Sequence, residues 1–311
     1  MQNLASIYSN QGRWDEAEKL EVEVMNARKT KLGSDHPDTL QIMHDLAFTY
    51  WKQGRWDQAE TLEVEAMNAR KVRLGSEHPD TLQTMHDLAS TYRDQKKYHE
   101  ADKLQMEVMN ARKAKFGSDN PDTLQTMHNL ALTYNNQGRW DEAEKLQVKV
   151  MTARKAKLGS DHPDTLHTMH SLASTYWNQR RWDEAENLQV EVMNARKAKF
   201  GSDHPDTLNT MHNLASTYWK QGRWDKTEKL QVEVMDAKNA KFGTNHPSTL
   251  NTMASLALTY RSQGRLDEAE STLSQTVQTM ETVMGTRHPI TVHYKRQLDQ
   301  LIRRQNMCYL M

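Results

Sequence analysis

Apolar side chains recur along this chain at the spacing of a helix face, and one such face returns every 42 residues. In the stretch DHPDTLNTMHNLASTYWKQGRWDKTE, residues 203–228, Leu208, Met211, Leu214, Ala215 and Tyr218 fall on one side by the i, i+3, i+4 rule. This predicts a helix over about residues 206–220 with that side turned to a core. The other side carries Asn209, His212, Asn213, Ser216, Trp219 and Lys220. A tryptophan on an otherwise polar stripe points to a surface that touches something.

The period is carried by more than one residue type. All seven prolines, from Pro37 to Pro289, stand 42 apart, and so does a leucine ladder from Leu4 to Leu298. The glycines fall at two points of the unit, one series containing Gly12, Gly54 and Gly138, the other Gly33, Gly75 and Gly117. Two breaks per unit mean two helices per unit. The first helix of one copy is predicted over about residues 80–93, with Pro79 near its start, where a missing N–H is harmless. The second is predicted to begin at Asp57, with Asp57 and Glu60 as a D-x-x-E cap over the free N–H groups. It turns Ala59, Leu62, Ala66, Met67 and Ala69 inward and stops before Gly75. Acidic residues open this kind of helix (Asp141, Glu142, Glu144) and basic ones close it (Arg154, Lys155, Lys157), a pattern that reads as complementing the helix dipole rather than as a basic binding patch.

Composition narrows the class. Of 311 residues, 36% are hydrophobic and 26% charged, too apolar for a disordered chain and suited to an array in which each unit buries a stripe. Lys plus Arg (41) balance Asp plus Glu (41), which argues against nucleic acid or an anionic membrane as partner. The start of the chain has neither a basic region nor an apolar run, and no stretch approaches the roughly 18 apolar residues of a membrane helix. A single cysteine, Cys308, allows no internal disulfide and fits a reducing compartment, so a cytoplasmic location is expected.

Fourteen histidines raise the question of a metal. Most are periodic: His44, His86, His128, His170 and His212 on the first helices, and a second series before the prolines. Copies in successive repeats stand about a helix-packing distance of 8–10 Å or more apart and cannot share one ion. His167 with His170 is the one close pair, without a carboxylate or thiol in register, and the histidines before the prolines read as loop-ordering residues. No glycine-framed serine, placed cysteine or phosphate-binding glycine motif occurs. The expectation is a non-catalytic protein without cofactor or metal.

Leu46-Ala47 followed by Tyr50, then Ala59 and Ala66, resembles the tetratricopeptide pattern of Leu, small residue, Tyr, Ala, Ala. Met43, Glu63 and Lys71 depart from it, and the unit is lengthened to Leu74-Gly75 and closed by Gly75-Ser-Glu-His-Pro79-Asp. This 42-residue form is similar to the arrays of kinesin light chains and to the C-terminal arrays of fungal NACHT or NB-ARC receptor proteins. The resemblance implies an all-α, right-handed superhelical solenoid of antiparallel helix pairs, with the first helices lining its concave side. It implies a scaffold for a protein or peptide ligand in that groove, with a ligand-sensing region of a signalling ATPase and a kinesin-type cargo adaptor as alternatives. Residues 1–289 are expected to form the array and residues 290–311 a capping helix and tail. The copy at Met1 begins inside a first helix, which reads as a truncated gene model or as a fragment of a longer chain. Oligomeric state is left open by the sequence.

Candidate contact residues come from where the copies disagree. The turns and core leucines are nearly constant, whereas the first-helix polar face changes from copy to copy. The set is His44, Phe48, Trp51, Lys52, Arg93, His128, Asn129, Asn135, His170, Trp177, His212, Asn213, Trp219, Lys220 and Arg261. Trp177 and Trp219 are the expected central anchors, with His170 and Asn213 beside them. Trp51, Trp177 and Trp219 either lean on the neighbouring repeat or meet a ligand. A second tryptophan series, Trp14, Trp56, Trp140, Trp182 and Trp224, accepts Tyr98 and Leu266 and reads as structural. The inner face offers Gln41, Gln83 and Gln125 where a carboxylate clamp would need lysines and arginines.

Overall fold

Each proline opens a helix and each glycine follows the end of one. In the computed structural model, which describes residues 2–308, this punctuation yields fifteen α-helices among the described residues. The side chains of Gln2 and of residues 304–308, Cys308 among them, lie outside that description. The short α1 (Gln2–Asn10) precedes α2 (Trp14–Leu32), α3 (Pro37–Lys52), α4 (Trp56–Leu74), α5 (Pro79–Asp94), α6 (Tyr98–Phe116) and α7 (Pro121–Asn136). Then come α8 (Trp140–Leu158), α9 (Pro163–Asn178), α10 (Trp182–Phe200), α11 (Pro205–Lys220), α12 (Trp224–Phe242), α13 (Pro247–Ser262), α14 (Leu266–Met284) and α15 (Pro289–Cys308). Two compact units divide the chain, residues 1–153 and 154–311. Within the first, α1 to α7 pack successively, each on its chain neighbours; within the second, α9 to α15 do the same.

The histidines before the prolines are N-caps. His204 is extended (φ −65°, ψ 137°), and its Nδ1 accepts the Asp206 N–H at 3.2 Å. Asn120 does the same with its side-chain oxygen at 2.9 Å, which is why the one copy without histidine keeps its helix. Phe200, the last residue of α10, stacks on the His204 ring with centroids 4.8 Å apart, so cap and helix end are fastened together. Replacing His204 with alanine should cost about 1 kcal/mol, and replacing it with asparagine far less. Thermal melts of the two variants check this, and equal midpoints would remove the capping role.

Gly75, at φ +91° and ψ 161°, occupies a region essentially closed to residues with a Cβ. The other turn is more permissive: where most copies have glycine, Lys96 and Arg180 stand at φ 64° and 62°. That left-handed region costs an L-residue about 1–2 kcal/mol and no more.

The inward faces are as expected: Leu208, Met211, Leu214, Ala215 and Tyr218 are all buried, with Leu230 and Val234 of α12 against them. Ala59, Leu62 and Ala66 are buried on α4, whereas Met67 and Ala69 are only half-buried. Two expectations need correction. The first helical residue of α4 is Trp56, and the residue before it makes no side-chain cap bond. Asp57 and Glu60 instead reach the next copy, where both accept from the Gln95 amide (2.9 and 2.8 Å) and Glu60 also takes Lys97 Nζ at 2.6 Å. Arg154 likewise does more than face a dipole. It is 4% exposed and donates to Thr168 Oγ1 at 2.8 Å and to the Asp164 carbonyl at 3.1 Å. Arg70, Arg112 and Arg196 repeat this on Thr84, Thr126 and Thr210. These arginines tie α4, α6, α8 and α10 each to the first helix that follows, and Lys238 of α12 does the same on Thr252 at 3.0 Å.

In unit two the last helix closes on α13 and α14 through Tyr294, 7% exposed, whose hydroxyl lies 3.1 Å from Ser255 Oγ and donates to Asn251 Oδ1 at 3.1 Å. Among the described residues no helix is long and apolar enough to cross a membrane.

Candidate functional site

Eight of the fifteen expected contact residues line cavities, divided among three of them. In unit one a cavity of about 440 Å³ opens among α3, α5 and α7, with α4 contributing to its lining. It brings together five of the set: His44, Phe48, Trp51, Arg93 and Asn129. Helix spacing puts Phe48 one turn from His44 and nearly one from Trp51. The Phe48 and Trp51 rings stack with centroids 6.1 Å apart at 18°, and Lys52 Nζ stands 4.9 Å from the Trp51 ring. Phe48 is 46% exposed, a large apolar ring left to solvent. Trp51 donates its indole N–H to Asp94 of α5 at 2.8 Å and thereby leans on the following repeat. Arg93 Nε reaches Asp94 at 3.2 Å, and the His44 ring lies 3.5 Å from Asp87.

In unit two a smaller cavity of about 260 Å³ lies between α9 and α11 and is lined by Trp177 and Asn213 from the expected set, with Ser174, Ser216 and Gln189. Trp177 meets Trp182 edge to face at 5.5 Å, and Trp219 meets Trp224 the same way at 5.6 Å. The second tryptophan series therefore supports the first. Lys220 Nζ lies 5.2 Å from the Trp219 ring and 5.9 Å from that of Trp177, joining the two tryptophans of adjacent repeats through one cation.

Polar neighbours of the tryptophans are engaged with one another. Asn213 Nδ2 lies 3.3 Å from His170 Nε2, and Asn129 makes the same contact with His86 at 3.1 Å. Burial, with Arg196 and then His167 nearby, holds His170 down at about 4, so the ring is neutral at physiological pH. His212 sits apart, lining a cavity of about 400 Å³ with Lys238 and Asn251. Arg261 is tied to α15, donating to Gln297 at 3.0 Å. Asn135 is half-buried on α7 and lines neither cavity. His128 needs correction: at 1% exposure it belongs to the core of its repeat and offers no surface to a partner.

The second helices supply lining residues outside the expected set, Glu63 to the cavity of unit one and Gln189 to that of unit two. A signal existed: Glu63 was a departure from the tetratricopeptide pattern, and its column reads Glu21, Glu63, Gln105, Gln147, Gln189. Among the described residues no three His, Cys, Asp or Glu side chains stand close enough to share a metal ion.

A family model of the tetratricopeptide repeat matches residues 1–71, 122–198, 170–226 and 206–282, and a second model of that repeat matches residues 81–122. Among solved structures, a Podosopora anserina protein, described as a kinesin light chain with nearly identical TPR-like repeats, is 29% identical (TM-score 0.59), over 67% of this chain and 98% of that one. A Signal Transduction ATPase with Numerous Domains from Pyrococcus horikoshii, carrying a tetratricopeptide repeat sensor, superposes with a TM-score of 0.70 at 13% identity, over 96% of this chain and 43% of that one. The apo quorum sensor NprR of B. thuringiensis gives 0.59 at 14% identity, over 97% and 87%. The last two likenesses are of fold. No curated protein matches the chain.

Proposed function

The chain belongs to the tetratricopeptide repeat family, and from that premise we propose that it is a non-catalytic scaffold whose first helices receive an extended segment of a protein partner. The observation that carries this reading is the cavity of about 440 Å³ whose walls include Phe48, Trp51, Ser90 and Arg93, side chains in columns that differ from copy to copy. Phe48, Trp51 and Arg93 occupy columns that elsewhere hold Ser90, Asn135 or Trp177, while the neighbouring core columns of Leu46 and Ala47 keep leucine and alanine from copy to copy. Residues that vary while their supports stay fixed fit selection for a ligand better than drift, and aromatic and arginine side chains are those favoured at binding hot spots. We assign the exposed end of unit two to α15 as a cap, since its Tyr294 and Leu298 pack on the apolar side of α13 and α14.

The test is selection from a displayed peptide library, followed by measurement on the enriched peptides. Trp177→Ala and Trp219→Ala should each weaken binding to unit two by about 30-fold, the loss of roughly 2 kcal/mol usual for a central aromatic anchor, with helicity unchanged. Glu191→Lys, on a second helix where Glu191 pairs with Lys155 at 2.8 Å, should leave affinity as it is. Wild-type binding by both tryptophan variants, with loss in Glu191→Lys, would transfer the partner surface to the second helices.

A further inference from the structure

The cavity of unit one is lined by carboxylates where that of unit two is lined by amides. Glu63 of α4 lines it and is 4% exposed; its Oε2 is shut from solvent and meets no hydrogen-bond donor. Asp87 of α5 lines the same cavity. In unit two the same positions of the repeat are Gln189 and Asn213, which line the cavity beside Trp177. The exchange is concerted along the chain. Glu21 goes with Asp45 and Glu63 with Asp87, whereas every glutamine copy pairs with an uncharged residue, Gln105 and Gln189 with Asn129 and Asn213, Gln147 and Gln231 with Ser171 and Ser255.

A carboxyl taken out of water beside a second, half-buried one is disfavoured as an anion unless a proton or a cation intervenes. The basic groups around this cavity are committed elsewhere. Arg93 bonds to Asp94, Arg70 to Thr84 and the Asp80 carbonyl, and Arg112 to Thr126 and Gln83. Lys52 lies over the Phe48 and Trp51 rings. The one basic ring that turns into the cavity, His44, stands 3.5 Å from Asp87, which also accepts from Gln83 at 3.0 Å. Among the described residues no cation forms an ion pair with Glu63. Burial pushes Glu63 up to about 8; the nearby Thr91 hydroxyl opposes this in part, and the charges of Asp87 and Glu60 add to it. At neutral pH the buried Glu63 carboxyl therefore keeps a proton where a cation would serve.

We propose that this cavity receives a basic side chain, the ammonium of a lysine or the guanidinium of an arginine, carried by the bound segment. Glu63 and Asp87 are its counter-ions, and the stacked Phe48 and Trp51 rings are its wall. On binding, the Glu63 proton passes to solvent and the cation takes its place, so charge balances. The inference rests on the first-helix reading above and adds the chemistry of the partner, which a neutral or acidic segment does not satisfy at this cavity.

The experiment uses the full chain and butylguanidinium chloride, an arginine side chain without its peptide, titrated at constant ionic strength with butanol as the neutral control. The reporters are the indole N–H resonances of Trp51, Trp177 and Trp219. The Trp51 resonance should shift saturably with the cation and not with butanol, while those of Trp177 and Trp219 stay in place. Glu63→Gln, which installs the residue found at Gln105 and Gln189 and so preserves the fold, should weaken the cation at least tenfold. Equal shifts at Trp51 and Trp177, no saturation at Trp51, or unchanged affinity in Glu63→Gln would each overturn the proposal. No peptide enters the titration, so a failed peptide selection with the cation still bound removes the scaffold reading alone. The converse removes the counter-ion assignment alone.

Discussion

Replacing Leu130 with alanine should lower the unfolding free energy by about 2–5 kcal/mol and loosen the array around that residue first. Leu130 is fully buried on α7, in a cluster with Ala131, Tyr134 and Ala143, against which Met109 of α6 and Leu146 of α8 pack. Cutting its side chain back removes contacts from three helices at once, and small residues on two sides give the site little with which to refill the space. Stability in a repeat array is close to a sum of unit and nearest-neighbour terms. The missing energy is therefore taken from α6 to α8, while α1 to α3 lose little. Amide hydrogen exchange read helix by helix tests this. Equal loss of protection across all helices of unit one would show that the unit opens as a single block.

The Glu63 carboxyl should also draw stability down as pH rises from about 4.5 to about 8, and Glu63→Gln should abolish that contribution. The Glu63 carboxyl sits at about 8 in the folded chain against an ordinary 4.5, chiefly through burial. Between those values the folded chain holds a proton that the unfolded chain has released, so each unit of rising pH costs about 1.4 kcal/mol until the folded group titrates too. The full effect is on the order of 4 kcal/mol at pH 8. Glutamine has no proton to lose and can accept from Thr91 as Gln105 accepts from Thr133 at 2.8 Å. His86 acts in the opposite sense. Burial, with Arg112 and Arg93 nearby, holds it down at about 4, so its contribution is complete above 6.5 and is lost as pH falls toward 4. Subtracting the Glu63→Gln unfolding curve from that of the parent chain isolates the carboxyl; a flat difference from pH 5 to 8 would contradict the assignment.

Helix bounds were legible in the sequence because proline, histidine and glycine act locally. Pro205 fixes φ at the first turn, His204 caps two residues on, and Gly201 adopts a backbone angle that a Cβ forbids. Core faces were legible for the same reason, as with Leu208 and Met211. The roles of Asp57, Glu60 and Arg154 were not. A carboxylate three residues after another matches a local cap, and nothing in that spacing shows that its partner is Gln95, 35 residues away from Glu60. His128 was misplaced because a helical wheel puts its column on the margin between core and open face. The repeat packed against it decides which side it joins. Glu63 lies outside the candidate set because its column belongs to a second helix, whereas the variable polar columns lie on first helices; only packing brings the two to one cavity.

The hydrogen bonds that join one repeat to the next run over a nearly constant stretch of chain. Glu60 to Lys97 spans 37 residues, Lys197 to Glu233 spans 36, and Trp51 to Asp94 spans 43. Closing a loop of that length carries the same entropic cost in every copy, and these contacts require no longer closure. Relative contact order therefore declines as the array lengthens, and the rate-limiting search stays that of one helix pair meeting the next. An insertion of 42 residues in register, a whole copy with its own histidine cap and glycine stop, adds length without adding a slower folding step.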